Sequence, residues 1–274
     1  MGVRRSRSTS SGRSGGMGRI LIALVIAAFS IISFLGSREY NPVTGEDQYV
    51  GLTENQEIAL GLRSEPEMIR QYGGLLPDQQ VQAAIDSLGL ELVQESMAAN
   101  TNWEFDFHVL DDPDTVNAFA LPGGPVFITS GLLSRLETEG QAAGVLGHEI
   151  GHVLARHSAQ QIAKSDLTNG LLGAVMVASE NSAQTAAIIA QLVNMRYGRE
   201  DELESDRLGV RIMSEAGYDP RSLIGVMEIL AEASGGARQP EFFSTHPNPE
   251  NRIQQIQAAI QAEFPNGVPD NLIP

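Results

Sequence analysis

The chain contains no cysteine. That absence excludes a disulfide-stapled fold, thiolate metal ligands, a cysteine nucleophile and a lipid-modified N-terminal cysteine. Any metal must therefore be held by histidine, aspartate or glutamate. Basic residues are also scarce: 18 Lys and Arg stand against 34 Asp and Glu over 274 residues, a net charge of −16. Nucleic-acid binders normally carry a basic footprint, so that class is excluded. There is no internal repeat. At 42% hydrophobic and 19% charged residues, the chain is neither disordered throughout nor a polytopic membrane protein. Its length suits one sizeable domain with an appendage.

The basic residues are placed unevenly. Arg4, Arg5, Arg7, Arg13 and Arg19 lie in a tail (1–19) without an acid. Residues 20–36 follow as an uncharged run whose only polar members are Ser30 and Ser33. A basic segment before an apolar one marks a secretory signal, and a helix of this length reaches the low end of a membrane span. Leu35-Gly36-Ser37-Arg38 offers no clean small-residue cleavage pair, which favours a retained signal anchor over a cleaved signal peptide. The arginines then stay cytoplasmic and the acidic remainder is exported. Residues 37–52 are turn-rich and read as a linker, and 265–274 as a flexible tail.

Between them, 53–264 reads as one domain. Thr53 with Gln56 forms a capping box for a helix to about Gln71, and Asp78 opens a second helix to about Ala98. The period then changes. Trp103–Leu110, Val116–Ala120 and Val126–Thr129 read as strands, the last two around the turn at 121–125. One helix is expected from about Thr138 to Lys164. Leu171–Ser179 and Ala186–Val193 are apolar helical pieces, each too short to span a membrane. Three further helices are expected at about Arg199–Ala216, Asp219–Ser234 and Asn248–Phe264, the last two opened by Asp-Pro and Asn-Pro.

The chemically informative residues are His148-Glu149-Ile150-Gly151-His152. On a helix, residues four apart are separated by about 40° around the axis, so both imidazoles can reach one ion. Glu149 sits between them in angle, placed to hold a water rather than to ligate. This is the mechanical content of the HExxH pattern. Glycines 144, 147 and 151 let another backbone approach that helix, at about 1 kcal/mol of helix propensity each. A third ligand has to come from elsewhere, and the cluster Glu200, Asp201, Glu202, Glu204, Asp206 offers five candidates. Glu202 and Asp206 share a helix face, so one could ligate while the other orients a ligand histidine. By spacing alone the cluster reads equally well as a solvated helix start.

Taken in order, His148–His152, then Glu202-Leu-Glu-Ser-Asp206, then Ser244-Thr-His246-Pro247 with Arg252, resemble the zinc metallopeptidase family of HtpX and the CAAX prenyl proteases. Asn117-Ala-Phe-Ala-Leu-Pro-Gly-Gly124 is also similar to that family's segment before the active-site helix. The likeness covers about 53–264 and is closest to exported members acting in envelope quality control. It implies an α+β, mainly helical zincin-like metallopeptidase domain with a small β-sheet, behind one N-terminal transmembrane or signal helix. It further implies one Zn2+ per chain on His148, His152 and Glu202, Glu149 as general base, and Asp206 orienting a ligand histidine. The additional membrane spans of HtpX and the prenyl proteases are missing.

His246 lies in a proline-bounded loop. It reads as a plain loop residue, as a transition-state stabiliser opposite Glu149, or as a ligand that closes the zinc site, as the matching histidine can in some exported relatives. Arg252 reads as support for that loop, a substrate contact or a surface salt bridge. His157, half a turn away from His148 on a continuous helix, reads as structural. His108 ends a strand without a visible partner, and Tyr197 reads as a packed aromatic or an oxyanion donor. Asn117, Ala118, Phe119 and Ala120 read as an edge strand to which an extended peptide could add. Residues 162–193 read as a lid or as a packed helix pair.

The expected activity is cleavage of misfolded or misassembled envelope proteins, with the membrane reached through the N-terminal helix. The competing class is a zincin-like chaperone or assembly factor with a blocked or structural zinc site. A single-metal hydrolase of non-peptide substrates is a third.

Overall fold

A computed structural model describes residues 14–178, 198–234, 240–246 and 251–274. The expected helix at Ala186–Val193, Tyr197 and the Asn248-Pro249 helix opening lie outside the described residues. The fold is α+β and mainly helical, as the resemblance implied.

Helix α1 (Ser14–Gly36) is the apolar segment and, among the described residues, the one helix long and apolar enough to cross a membrane. After it the expected linker is instead an antiparallel hairpin, β1 (Arg38–Asn41) and β2 (Glu46–Tyr49). The turn-rich residues are its turn. Buried Asn41 accepts from the amide of Val43 and donates to Gln48 and to the carbonyl of Leu154, so the hairpin is tied to the domain. Helix α2 (Glu54–Gln71) begins with the Thr53–Gln56 capping box. Helix α3 (Gln79–Gln94) is capped by Asp78 and ends earlier than expected, a 3-10 turn at Met97–Asn100 replacing its last turn.

The sheet has the order β3 (Asp106–Leu110), β5 (Pro125–Thr129), β4 (Ala118–Ala120). β3 runs parallel and β4 antiparallel to the fully buried β5. A short helix α4 (Ser130–Leu133) follows β5, and then α5 (Glu139–Leu154), buried along nearly its whole length. α5 is the central element, packed on α7 (Arg199–Glu215), α8 (Ser222–Ser234), α3 and the sheet. α9 (Phe242–Thr245) and α10 (Arg252–Glu263) complete the described domain.

Three expectations are corrected here. The single helix Thr138–Lys164 is two, α5 and α6 (His157–Ala178), broken at Arg156 with φ 56°. A left-handed arginine costs about 1–2 kcal/mol. It is held by three long-range contacts that no local pattern encodes: Nε to Glu57 at 2.8 Å, Nη1 to Glu39 at 2.8 Å and Nη2 to the carbonyl of Leu52 at 2.8 Å. α8 starts at Ser222 because Asp219-Pro220 forms a preceding turn. The tail is docked rather than flexible. Ile273 exchanges backbone bonds with Gly217 and Asp219, and the carbonyl of Pro274 accepts from Gly140 at the start of α5.

Glycines set how closely α5 and α7 approach. A Cβ on Gly209 would lie 3.1 Å from the amide nitrogen of His148, and one on Gly151 would lie 3.0 Å from the carbonyl oxygen of Ser205. The glycines of α5 thus do what the sequence suggested: they bring the acidic segment of α7 against the two histidines.

Candidate metal centre

His148 and His152, one turn apart on α5, present their Nε2 atoms to each other at 3.1 Å, the rings nearly perpendicular. Across the glycine contact, Glu202 of α7 brings Oε2 to 3.4 Å from His148 Nε2 and Oε1 to 3.5 Å from His152 Nε2. Tetrahedral zinc with bonds of about 2.0–2.1 Å has ligand–ligand edges of about 3.3 Å. The separations are of that order, with Glu202 turning one oxygen toward each imidazole, so the three side chains border one ion-sized space. Two imidazole nitrogens converging with a carboxylate is a donor set for a divalent cation, and zinc suits its nitrogen and oxygen donors. His246 joins the group, all four ligand atoms lying within 4.8 Å of one another.

Each histidine is fixed from behind. Asp206, one turn after Glu202, receives His148 Nδ1 at 2.8 Å. Arg252 of α10 donates from Nε and Nη2 to the two Asp206 oxygens at 2.7 and 2.9 Å, and its Nη1 lies 3.3 Å from Glu202. The arginine is 1% exposed, so the surface salt bridge considered for it is excluded. Burial alone would raise the Asp206 carboxyl, but Arg252 and His148 outweigh it and hold the group at about 2.

His152 has a different support, and here the reading of His157 is overturned. Because α5 breaks at Arg156, His157 is not half a turn away but folds back against the site. Its Nδ1 lies 2.9 Å from His152 Nδ1, and its Nε2 lies 3.0 Å from Glu204 Oε2. The protons follow from the partners. Glu204 can only accept, so His157 carries its proton on Nε2; its bare Nδ1 accepts the His152 Nδ1 proton; and His152 Nε2 is left with its lone pair toward the centre. Burial, then the neighbouring His148 and His157, push His152 well below the usual imidazole range, keeping it neutral as a ligand must be. The sequence offers Glu204 only as one of five candidate third ligands and His157 only as structural, since the helix break that joins them has no local signal.

Glu149, between the two histidines, is 1% exposed. Burial pushes its carboxyl up to about 7, with His148 pulling down and Glu202 pushing up. The backbone amide of Ala120 faces it, so the end of β4 reaches the centre. His246, just after α9, stacks on Phe242 with centroids 4.4 Å apart and places Nε2 3.5 Å from Glu149 Oε1. It is therefore part of the centre, not a plain loop residue.

β4 is the sheet edge, as read for Ala118–Ala120, while Asn117 precedes the strand and is fully buried. The carbonyl of Val116 accepts from the amide of Phe242, so the segment carrying His246 runs past the start of that edge. His108 lies inside β3 rather than at its end, with Nε2 3.1 Å from Glu65 and 3.4 Å from Asp106; it has partners and stands apart from the centre.

Comparison with known proteins agrees with this geometry. The pattern of peptidase family M48 matches residues 79–260. The beta-barrel assembly-enhancing protease of Escherichia coli is 33% identical over 252 residues, covering 85% of this chain and 50% of its own. The mitochondrial metalloendopeptidase OMA1 of Saccharomyces cerevisiae is 31% identical over 233 residues, covering 78% of this chain and 67% of its own. The chain spans about half the length of the bacterial relative.

Proposed function

The chain belongs to peptidase family M48, so it is a metal-dependent protease, and from that premise we propose a zinc metalloendopeptidase in which His148, His152 and Glu202 hold the ion. The convergence of these three side chains on one small space carries the reading. Bound zinc supplies a Lewis acid that polarises a peptide carbonyl and lowers the pKa of water toward neutrality. Glu149 is the general base. Its buried carboxyl, adjacent to both ligand histidines, would take a proton from the attacking water and hand it to the leaving amine. Asp206 and Arg252 fix the His148 ring, and Glu204 with His157 fixes the His152 ring. The edge of β4, Ala118–Ala120, receives the substrate as an added strand, with the buried Asn117 holding its start in place. That mode reads backbone rather than side chains and suits unfolded or misassembled protein substrates.

Glu149→Gln should retain one equivalent of zinc and lose cleavage of an unfolded test protein. Loss of zinc together with turnover would assign Glu149 to the wrong role.

One observation favours a second reading, a blocked or non-proteolytic centre: His246 lies within ligand distance of the other three groups. As a fourth ligand it restrains the site, and His246→Ala should raise basal cleavage. As a transition-state stabiliser it assists, and the same change should lower turnover by about 10²–10³-fold.

The domain layout we propose is a cytoplasmic tail (1–19), a membrane anchor at 20–36, the hairpin and an extracytoplasmic metallopeptidase domain at 53–264. The acidic domain has no nucleic-acid partner, and its substrates are misfolded envelope proteins.

A further inference from the structure

α1 and α6 lie side by side and antiparallel. At the α6 start, the amide of Gly51 donates to the carbonyl of Ala159 at 3.3 Å. In the middle, Gly170 abuts Ser30, where a Cβ would have no room. At the far end, Arg19 Nε donates to the carbonyl of Val177 at 2.9 Å. Two helices in contact along their length cannot occupy different media at the same depth. α1 exposes Leu21, Ile22, Leu24, Val25, Phe29 and Ile32, while Ala23 is buried.

The polarity of α6 changes along that same axis. Its last charged residues, Lys164 and Asp166, stand at the outer end, with Asp166 lining a cleft with Ser33 and Ser37. Ser165, Asp166 and Asn169 are its exposed residues there. Past Gly170 the half-exposed positions are Leu171, Leu172, Gly173, Val175 and Val177, with no charge. The Arg19 bond ties the start of α1 to a late α6 carbonyl, so the pairing of the two helices continues past Gly170.

We propose that α6 beyond Asn169 enters the bilayer beside α1, so that the acyl chains of the membrane are the partner of its outer face. This rests on reading α1 as a membrane anchor. Leu171–Ser179 is too short to span, but it need not span, because α1 already does and α6 pairs with it. The consequence for function is a fixed working height. α6 begins at His157, which touches His152, and Asn169 lies 12 residues later, about 18 Å along the axis. The metal centre is thus held roughly that far above the point where α6 meets lipid. Its substrate class is polypeptide at the membrane surface: segments of membrane proteins emerging from the bilayer, or chains lying on it.

The absence of cysteine permits a direct test. Single cysteines at Leu172 (α6), Val25 (outer face of α1) and Arg211 (exposed, α7) are introduced into the full chain, spin-labelled and reconstituted in phosphatidylethanolamine/phosphatidylglycerol vesicles. Collision rates with oxygen and with a water-soluble nickel chelate are then compared. Leu172 and Val25 should both show high oxygen and low nickel accessibility, the reverse of Arg211. High nickel accessibility at Leu172 with a lipid signature at Val25 would overturn the inference and leave the anchor standing. High nickel accessibility at both would overturn the anchor as well. Low accessibility to both reagents at Leu172 would mean burial in protein, and also overturns the inference.

Discussion

Replacing His157 by alanine should weaken zinc binding by about 10- to 100-fold without unfolding the domain. The size follows from what is removed. In the intact centre the His152 Nδ1 proton has one ring nitrogen to bond, at 2.9 Å, and that nitrogen is kept bare by Glu204 at 3.0 Å. In the alanine variant a partly buried N–H loses its acceptor, at about 1–3 kcal/mol, and the His152 ring is free to turn its lone pair away from the ion. At 1.4 kcal/mol per factor of ten, this is one to two orders of magnitude in affinity. Titration of the purified chain against a chromogenic chelator measures it, with far-ultraviolet circular dichroism checking the fold. His157→Gln supplies an amide oxygen toward His152 and an amide nitrogen toward Glu204, and should recover most of the loss. A merely structural role predicts no such recovery. Zinc affinity unchanged in His157→Ala, or equally weak in alanine and glutamine variants of normal stability, would refute the relay.

Arg252→Ala would leave the Asp206 and Glu202 carboxylates buried together, and should cost about 3–5 kcal/mol of stability, read as a lower urea midpoint. The pH response has a definite sign. The Asp206 pKa is lowered from 3.8 to about 2 in the fold, so its stabilisation is fully present above about pH 4 and is lost as pH falls through about 2. The urea midpoint of wild type should therefore drop more between pH 5 and pH 2.5 than that of Asp206→Asn.

Much of the centre was legible because it rests on helical arithmetic. His148 and His152, and Glu202 and Asp206, are each four apart, and a helix turns that spacing into a shared face whatever surrounds it. The capping box at Thr53 and the N-cap at Asp78 were equally local. What escaped is held by distant partners. Nothing near Arg156 signals a helix break; the signal is in Glu39, Leu52 and Glu57, about a hundred residues earlier. The position of His157 escapes the sequence for the same reason, since the half-turn angle holds only on a helix that continues past Arg156. The hairpin at 38–49 was hidden because turn residues look alike in a linker and in a tight turn. The docked tail has no periodic pattern; its backbone bonds to Gly217, Asp219 and Gly140 and the packing of Val268 on the core hold it.

Where α5 and α7 cross, Gly147, Gly151 and Gly209 leave little between the two main chains. The gap between the histidine helix and the glutamate helix is consequently a property of two backbones rather than of interleaved side chains. Rotamer hopping and most substitutions in the surrounding core act on side chains, and so have little purchase on that gap. The ligand atoms are gauged by a ruler made of main chain, which keeps its length while the packing around it is free to drift.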